Sequence, residues 1–161
     1  MDETVKQDLW RYALLRWQDR EFEQACLRLQ DDYQVPVSLL LCGLWLAESG
    51  KQPDALVGRR MTEVAEQFEA DYLRPLRVVR RKASEDMRLP EFKRQIQQVE
   101  LEGERWLLTT LPSFCDRLLP AGQPVDAMGW LLVLVPEVAQ CEGLQQALGE
   151  RERFMPIKSF E

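Results

Sequence analysis

The side chains with the most chemical potential in this 161-residue sequence are basic ones crowded into a short stretch: Arg74, Arg77, Arg80, Arg81 and Lys82. Arginine presents a planar fork of donors that fits carboxylate or phosphate oxygens two at a time. On a helix, Arg74, Arg77 and Arg81 share one face. Two outcomes are open. The run can receive an anionic partner surface. It can instead form an ion-pair ladder with an antiparallel helix, where Gln97, Glu100 and Glu104 come level with it. Such a ladder sets register more reliably than it adds stability. Arg77, Arg80 and Arg81 are read as candidate partner-binding residues, and Arg74, Glu100 and Glu104 as structural ion-pair candidates. The binding reading is kept because five basic groups face fewer carboxylates on the opposing helix. Trp17, beside Gln18 and Asp19 at a helix end, is a further candidate. Tryptophan close to arginine is a common composition at interface hot spots.

The rest of the composition mostly excludes. There is no histidine, so Ser-His-Asp and Cys-His catalysis and His-containing metal sites cannot be built within the chain. The cysteines, Cys26, Cys42, Cys115 and Cys141, form no Cys-x-x-Cys pair. Cys26 and Cys42 lie in apolar runs, where a thiol behaves as a small hydrophobe. With an acidic N-terminus and no signal-peptide apolar region, they predict a reduced, cytoplasmic protein without disulfides. Asp31-Asp32 lacks the further carboxylate and the second copy that a magnesium-binding aspartate motif needs. Glu100 and Glu104 share a helix face and Glu102 does not, and paired or solvated side chains explain them. The glycines form no phosphate-cradling loop. No catalytic residue, metal or cofactor is assigned. The formal charge of −6 opposes general nucleic-acid binding.

The elements that position these groups are legible along the chain. Val37 to Ala47 is apolar on all sides. A helix without a polar face is buried in protein or membrane, and eleven residues rise only about 16 Å, too short for a bilayer core of about 30 Å. A central helix over about 38–48 is expected, capped by Ser38 and ended at Gly50. Gly43 marks a close approach by another helix, with Trp45 filling the adjacent space. Two amphipathic helices precede it. The first covers about Thr4–Trp17, with Leu9, Trp10, Ala13, Leu14 and Trp17 inward. The second covers Glu21–Tyr33, with Phe22, Ala25, Cys26, Leu29 and Tyr33 inward. A long antiparallel hairpin should come next, over about 54–111. Its first arm carries Val57, Met61, Val64, Phe68, Tyr72, Leu76 and Val79 as a seam. Pro75 should kink it one turn earlier. Its second arm presents Phe92, Ile96, Val99, Gly103, Trp106 and Thr110. Residues 112–125 read as loop. Asp126 caps a helix to Val135, preferred over a strand because no partner strand is in view. A last helix is expected from Pro136 to Gly149. The expectation is an all-α, single-domain bundle of five to seven helices over 1–149, with a loosely ordered tail over 150–161.

The order DLWRYAL, ACLRLQD, VSLLLCGLWLAESG, RPLRVVRR and VELEGERW resembles an uncharacterised family of small proteobacterial proteins, a domain of unknown function, over roughly 9–111. The resemblance implies a small helical cytoplasmic protein and carries over no catalytic residue. The leading expectation is a non-enzymatic interaction or adaptor protein with an Arg-rich surface for an acidic protein partner. The alternatives are a bundle that binds an apolar small molecule or lipid, and an enzyme acting on a phosphorylated substrate.

Overall fold

The computed structural model describes residues 3–141, with side chains described from Leu9 onward. It is an all-α bundle of α1 (Glu3–Arg16), α2 (Arg20–Tyr33), α3 (Val37–Glu48), α4 (Ala55–Phe68), α5 (Arg74–Ser84), α6 (Pro90–Thr110) and α7 (Ala127–Leu134). A π-helical turn, Glu69–Leu73, joins α4 to α5, and 3-10 turns span Leu111–Phe114 and Pro136–Gln140. No described helix is long and apolar enough to cross a membrane.

The chain packs around α3. Every residue from Val37 to Ala47 is buried, as an all-apolar helix requires. Each fully buried leucine there contributes about 1.5–3 kcal/mol of transfer free energy. Ser38 is not the cap. Pro36 occupies that position without a side-chain bond, and the Ser38 hydroxyl is buried without a partner among the described residues. The reason is positional: Val37 already turns helical, which places Ser38 inside the first turn. The far end behaves as expected. Gly50 adopts φ +71°, and a Cβ there would meet the Gln123 carbonyl oxygen at 2.9 Å. Backbone bonds from Ala121 to Gly50 (2.7 Å) and from Val125 to Ala47 (2.9 Å) tie the 112–125 loop to this end.

The element that approaches Gly43 is α7. A Cβ on Gly43 would lie 3.1 Å from Leu131 and 3.3 Å from Leu134. Asp126 caps α7 as expected, and the helical reading of this apolar run holds. Trp130 is fully buried, and its indole N–H donates to the Lys51 carbonyl at 2.8 Å. The segment from Pro136 is a 3-10 turn rather than the start of an α-helix, and the expected continuation to Gly149 and the 150–161 tail lie outside the described residues.

In α1 the expected face is corrected. Leu9 and Ala13 are buried, but Leu14 is 48 % exposed and Arg16 turns inward instead. Arg16 donates to Glu48 at 2.5 Å and to the Tyr12 hydroxyl at 2.8 Å, and its guanidinium lies over the Tyr12 and Phe22 rings. Burial, first of all, drives the Tyr12 hydroxyl well above the usual tyrosine range. This pair fastens α1 to the end of α3, since a buried arginine requires a carboxylate partner. In α2, Asp19 supplies the N-cap, and Phe22, Ala25, Cys26 and Leu29 are buried, whereas Tyr33 is outside the core.

Candidate functional site

The hairpin of α4, α5 and α6 forms as expected, but its inner face is not the expected one. Pro75 has no N–H to offer the carbonyl one turn back. The chain widens just before it, and the Arg74 N–H reaches the Glu69 carbonyl, a five-residue step. The extra residue rotates the arm beyond it, although the departure from the expected face already begins at Ala65. After Met61 the buried positions run through Ala65, Glu69, Leu73 and Ala83 instead of Val64, Phe68, Tyr72 and Val79. On α6, Ile96 and Leu107 are buried, while Phe92, Val99 and Trp106 remain outside. π-turns of this kind occur often at functional sites.

The rotation carries two arginines between the arms. Arg77 grips Glu69 with both terminal nitrogens, at 2.7 and 3.1 Å, and donates to Glu104 at 3.2 Å. Arg80 pairs with Glu100 at 2.8 Å. The Glu69 and Arg77 side chains are only 3 % and 11 % exposed. Burial opposes the Arg77 charge, but the hydrogen bonds and charges of Glu69 and Glu104 outweigh it and hold the guanidinium protonated. Glu104 fares differently. Burial, and then the Glu69 charge, push its carboxyl up to about 7 against the lowering effect of Arg77.

The candidate residues therefore divide. Arg77 and Arg80 are committed between the arms rather than displayed. Arg81 points to α2 and pairs with Asp31 at 2.7 Å, where both side chains remain more than half exposed. Arg74 makes no ion pair among the described residues. Glu100 and Glu104 do form ion pairs, with Arg80 and Arg77. Glu69 on the same arm and Asp31 on another helix take up part of the basic surplus expected from the sequence, while Arg74 and Lys82 make no ion pair among the described residues. Trp17 is half-buried and packs edge-on against Phe22, ring centroids 6.5 Å apart.

Sequence reasoning missed the surface on the other side of the π-turn. Phe68 stacks on Trp106 with centroids 4.6 Å and planes 18° apart, and Tyr72 lies against Phe68 at 5.0 Å. Gly103 makes this possible. A Cβ there would meet Leu73 at 2.6 Å and Phe68 at 3.2 Å. The rings line an open groove of about 450 Å³, with Glu63, Gln67 and Asp71 at its edge. Tyr72 is 58 % and Trp106 46 % exposed. Each of the three aromatics is legible as an apolar heptad position. What the pattern could not show is that the seam lies outside.

A ring face attracts a cation, and a nearby carboxylate adds to that attraction. The groove therefore has the chemistry to receive a lysine or arginine together with an apolar neighbour. The Glu69–Arg77–Glu104 cluster instead has its polar atoms turned on one another.

A family model described as "Protein of unknown function (DUF2390)" matches residues 8–111. No curated protein and no solved structure matches the chain.

Proposed function

Since the chain belongs to the DUF2390 family, and the family match spans every residue of the groove, we propose that it is a non-enzymatic interaction protein whose groove binds a basic, aromatic-containing segment of a partner protein. The observation that carries this reading is the Phe68–Tyr72–Trp106 cluster beside Glu63 and Asp71, with Tyr72 and Trp106 exposed and Phe68 partly buried beneath them. Exposed aromatic side chains that touch one another and are rimmed by polar groups form a candidate contact surface. The adaptor reading of the sequence is kept, but its surface moves and the partner's charge is reversed. Arg77 and Arg80 have internal carboxylate partners, so an acidic partner would have to rely on Arg81, already paired with Asp31, and on Arg74 and Lys82. The openness of the groove favours a peptide over an enclosed lipid. A proteobacterial, cytoplasmic setting belongs to the same reading; the free thiols of Cys26, Cys42, Cys115 and Cys141 fit its cytoplasmic part.

The test is selection from a random peptide library. Basic peptides with an aromatic residue should be enriched. Trp106→Ala should abolish the enrichment, and Glu63→Lys with Asp71→Lys should reverse the charge preference. Enrichment of acidic peptides that depends on Arg81 would overturn the proposal and restore the Arg-rich surface.

A further inference from the structure

Three sulfur atoms, each from a different element, meet inside the core. Cys42 comes from α3, Met61 from α4, and Cys115 directly follows the 3-10 turn Leu111–Phe114. Cys42 and Met61 are fully buried, and Cys115 is 4 % exposed. Cys115 is the hub. Its Sγ lies 3.7 Å from the Met61 Sδ and hydrogen-bonds with the Cys42 thiol. The Leu111 carbonyl oxygen is a further neighbour at 3.7 Å. A single thiol in a core can serve as a small hydrophobe. Two thiols and a thioether drawn together from positions 42, 61 and 115 also make a set of metal donors.

Spacing and donor type select the ion. A metal–thiolate bond is about 2.3 Å long, so three sulfurs around one ion lie about 3.9 Å apart. The Cys115–Met61 separation is already close to that value. Structural zinc takes four ligands from Cys, His and carboxylates. The chain has no histidine, and no Asp or Glu joins the two cysteines among the described residues. Soft thiolate and thioether donors without a hard partner suit Cu(I). We propose that Cys42, Met61 and Cys115 bind one Cu(I) ion in a three-coordinate sulfur site that clamps α3 and α4 to the 112–125 loop. Both thiols bind as thiolates. One Cu⁺ and two Cys–SH give one Cu(S–Cys)₂⁻ unit and two protons, which pass to solvent. Met61 adds a sulfur lone pair, no electron is transferred, and copper stays Cu(I). The site shares no residue with the aromatic groove and stands whether or not the groove binds a peptide.

The experiment titrates the reduced full chain with Cu(I) under argon, against bicinchoninate as a competing chelator. One ion should bind per chain. X-ray absorption at the copper edge should show about three sulfur neighbours at about 2.3 Å. Tm should rise, because the three sulfurs come together only in the folded state. Cys115→Ala should abolish binding. Met61→Leu keeps the core volume and should leave the metal-free Tm nearly unchanged. It should weaken binding about tenfold or more. Cys26→Ala combined with Cys141→Ala removes the other two thiols and should leave the affinity as it is. Failure of the wild type to hold copper against bicinchoninate overturns the proposal. So do nitrogen or oxygen neighbours in place of sulfur, or loss of binding in the Cys26/Cys141 variant. If Cys115→Ala does not fold, Met61→Leu decides, and an unchanged affinity there overturns the three-sulfur site.

Discussion

The Trp106 indole lies nearly parallel on the Phe68 ring, centroids 4.6 Å apart, although Trp106 is almost half exposed. A stacked pair of this kind is worth about 0.5–1.5 kcal/mol beyond its area burial. Trp106→Ala should therefore lower stability only slightly, by about 1–2 kcal/mol, while removing peptide binding. Gly103→Val should cost more, about 1–3 kcal/mol, because its side chain must displace both Leu73 and Phe68. Urea denaturation of the two variants beside the wild type measures both effects.

Arg77 and Arg81 should differ sharply although only one helical turn separates them. Arg77→Ala leaves Glu69, which is buried, and Glu104 without their cation, and removing one partner of a buried pair costs about 3–5 kcal/mol. Arg81→Ala breaks an exposed pair with Asp31, worth about 0–1 kcal/mol. Thermal melts should show a large drop for the first and almost none for the second. Equal effects would contradict the observed division of the arginine run.

Glu104 should make stability depend on pH in a defined direction. Its carboxyl is raised from 4.5 to about 7, chiefly by burial and then by the Glu69 charge. Between those values the unfolded chain loses the proton while the folded chain keeps it. This group's contribution is therefore full below about pH 4.5 and is lost as pH rises through about 7. Glu104→Gln cannot ionise, so it should flatten this fall. Denaturant midpoints of wild type and variant at about pH 5 and about pH 8, on either side of the raised value, give the comparison. A fall of the same size in both proteins would remove Glu104 as its source.

The crossing of α3 and α7 offers a test of the core. Gly43→Leu should push against Leu131 and Leu134 and destabilise by about 1–3 kcal/mol. Trp130→Ala should cost about 3–5 kcal/mol, because it empties a fully buried site and leaves the Lys51 carbonyl without its donor. Variants that melt within a degree of wild type would mean that α7 is not part of the cooperative core. That outcome would matter for the family as well, since α7 lies beyond the matched residues 8–111.

The division of the chain into helices is legible without any structure. Pro36, Gly50, Asp54, Pro90 and Asp126 punctuate it, and each acts through its own backbone or its own side chain within a few residues. The burial of α3 is legible for a similar reason: a segment apolar on every side has no solvent-facing orientation available. The glycine at position 43 announces a close approach, though not that α7 makes it.

Which face of an amphipathic arm turns inward is a different kind of question, and the tertiary structure answered it. Periodicity locates stripes, and the hairpin has two competing ones: an apolar seam through Phe68, Tyr72 and Val79, and a mixed stripe through Ala65, Glu69, Leu73 and Arg77. The second is already inward at Ala65, before the widened turn, and that turn at Glu69–Leu73 keeps it inward through Leu73. That stripe is tolerable inside because Glu69 pairs with Arg77 within it and Glu104 and Glu100 arrive from α6 to meet Arg77 and Arg80. Arg16 shows the same logic, since its inward turn depends on Glu48 at the far end of another helix. A charged side chain is buried or exposed according to the partner that the fold brings to it. Apart from Glu69, eight residues before Arg77, those partners lie 20 or more positions away, where no local pattern reaches.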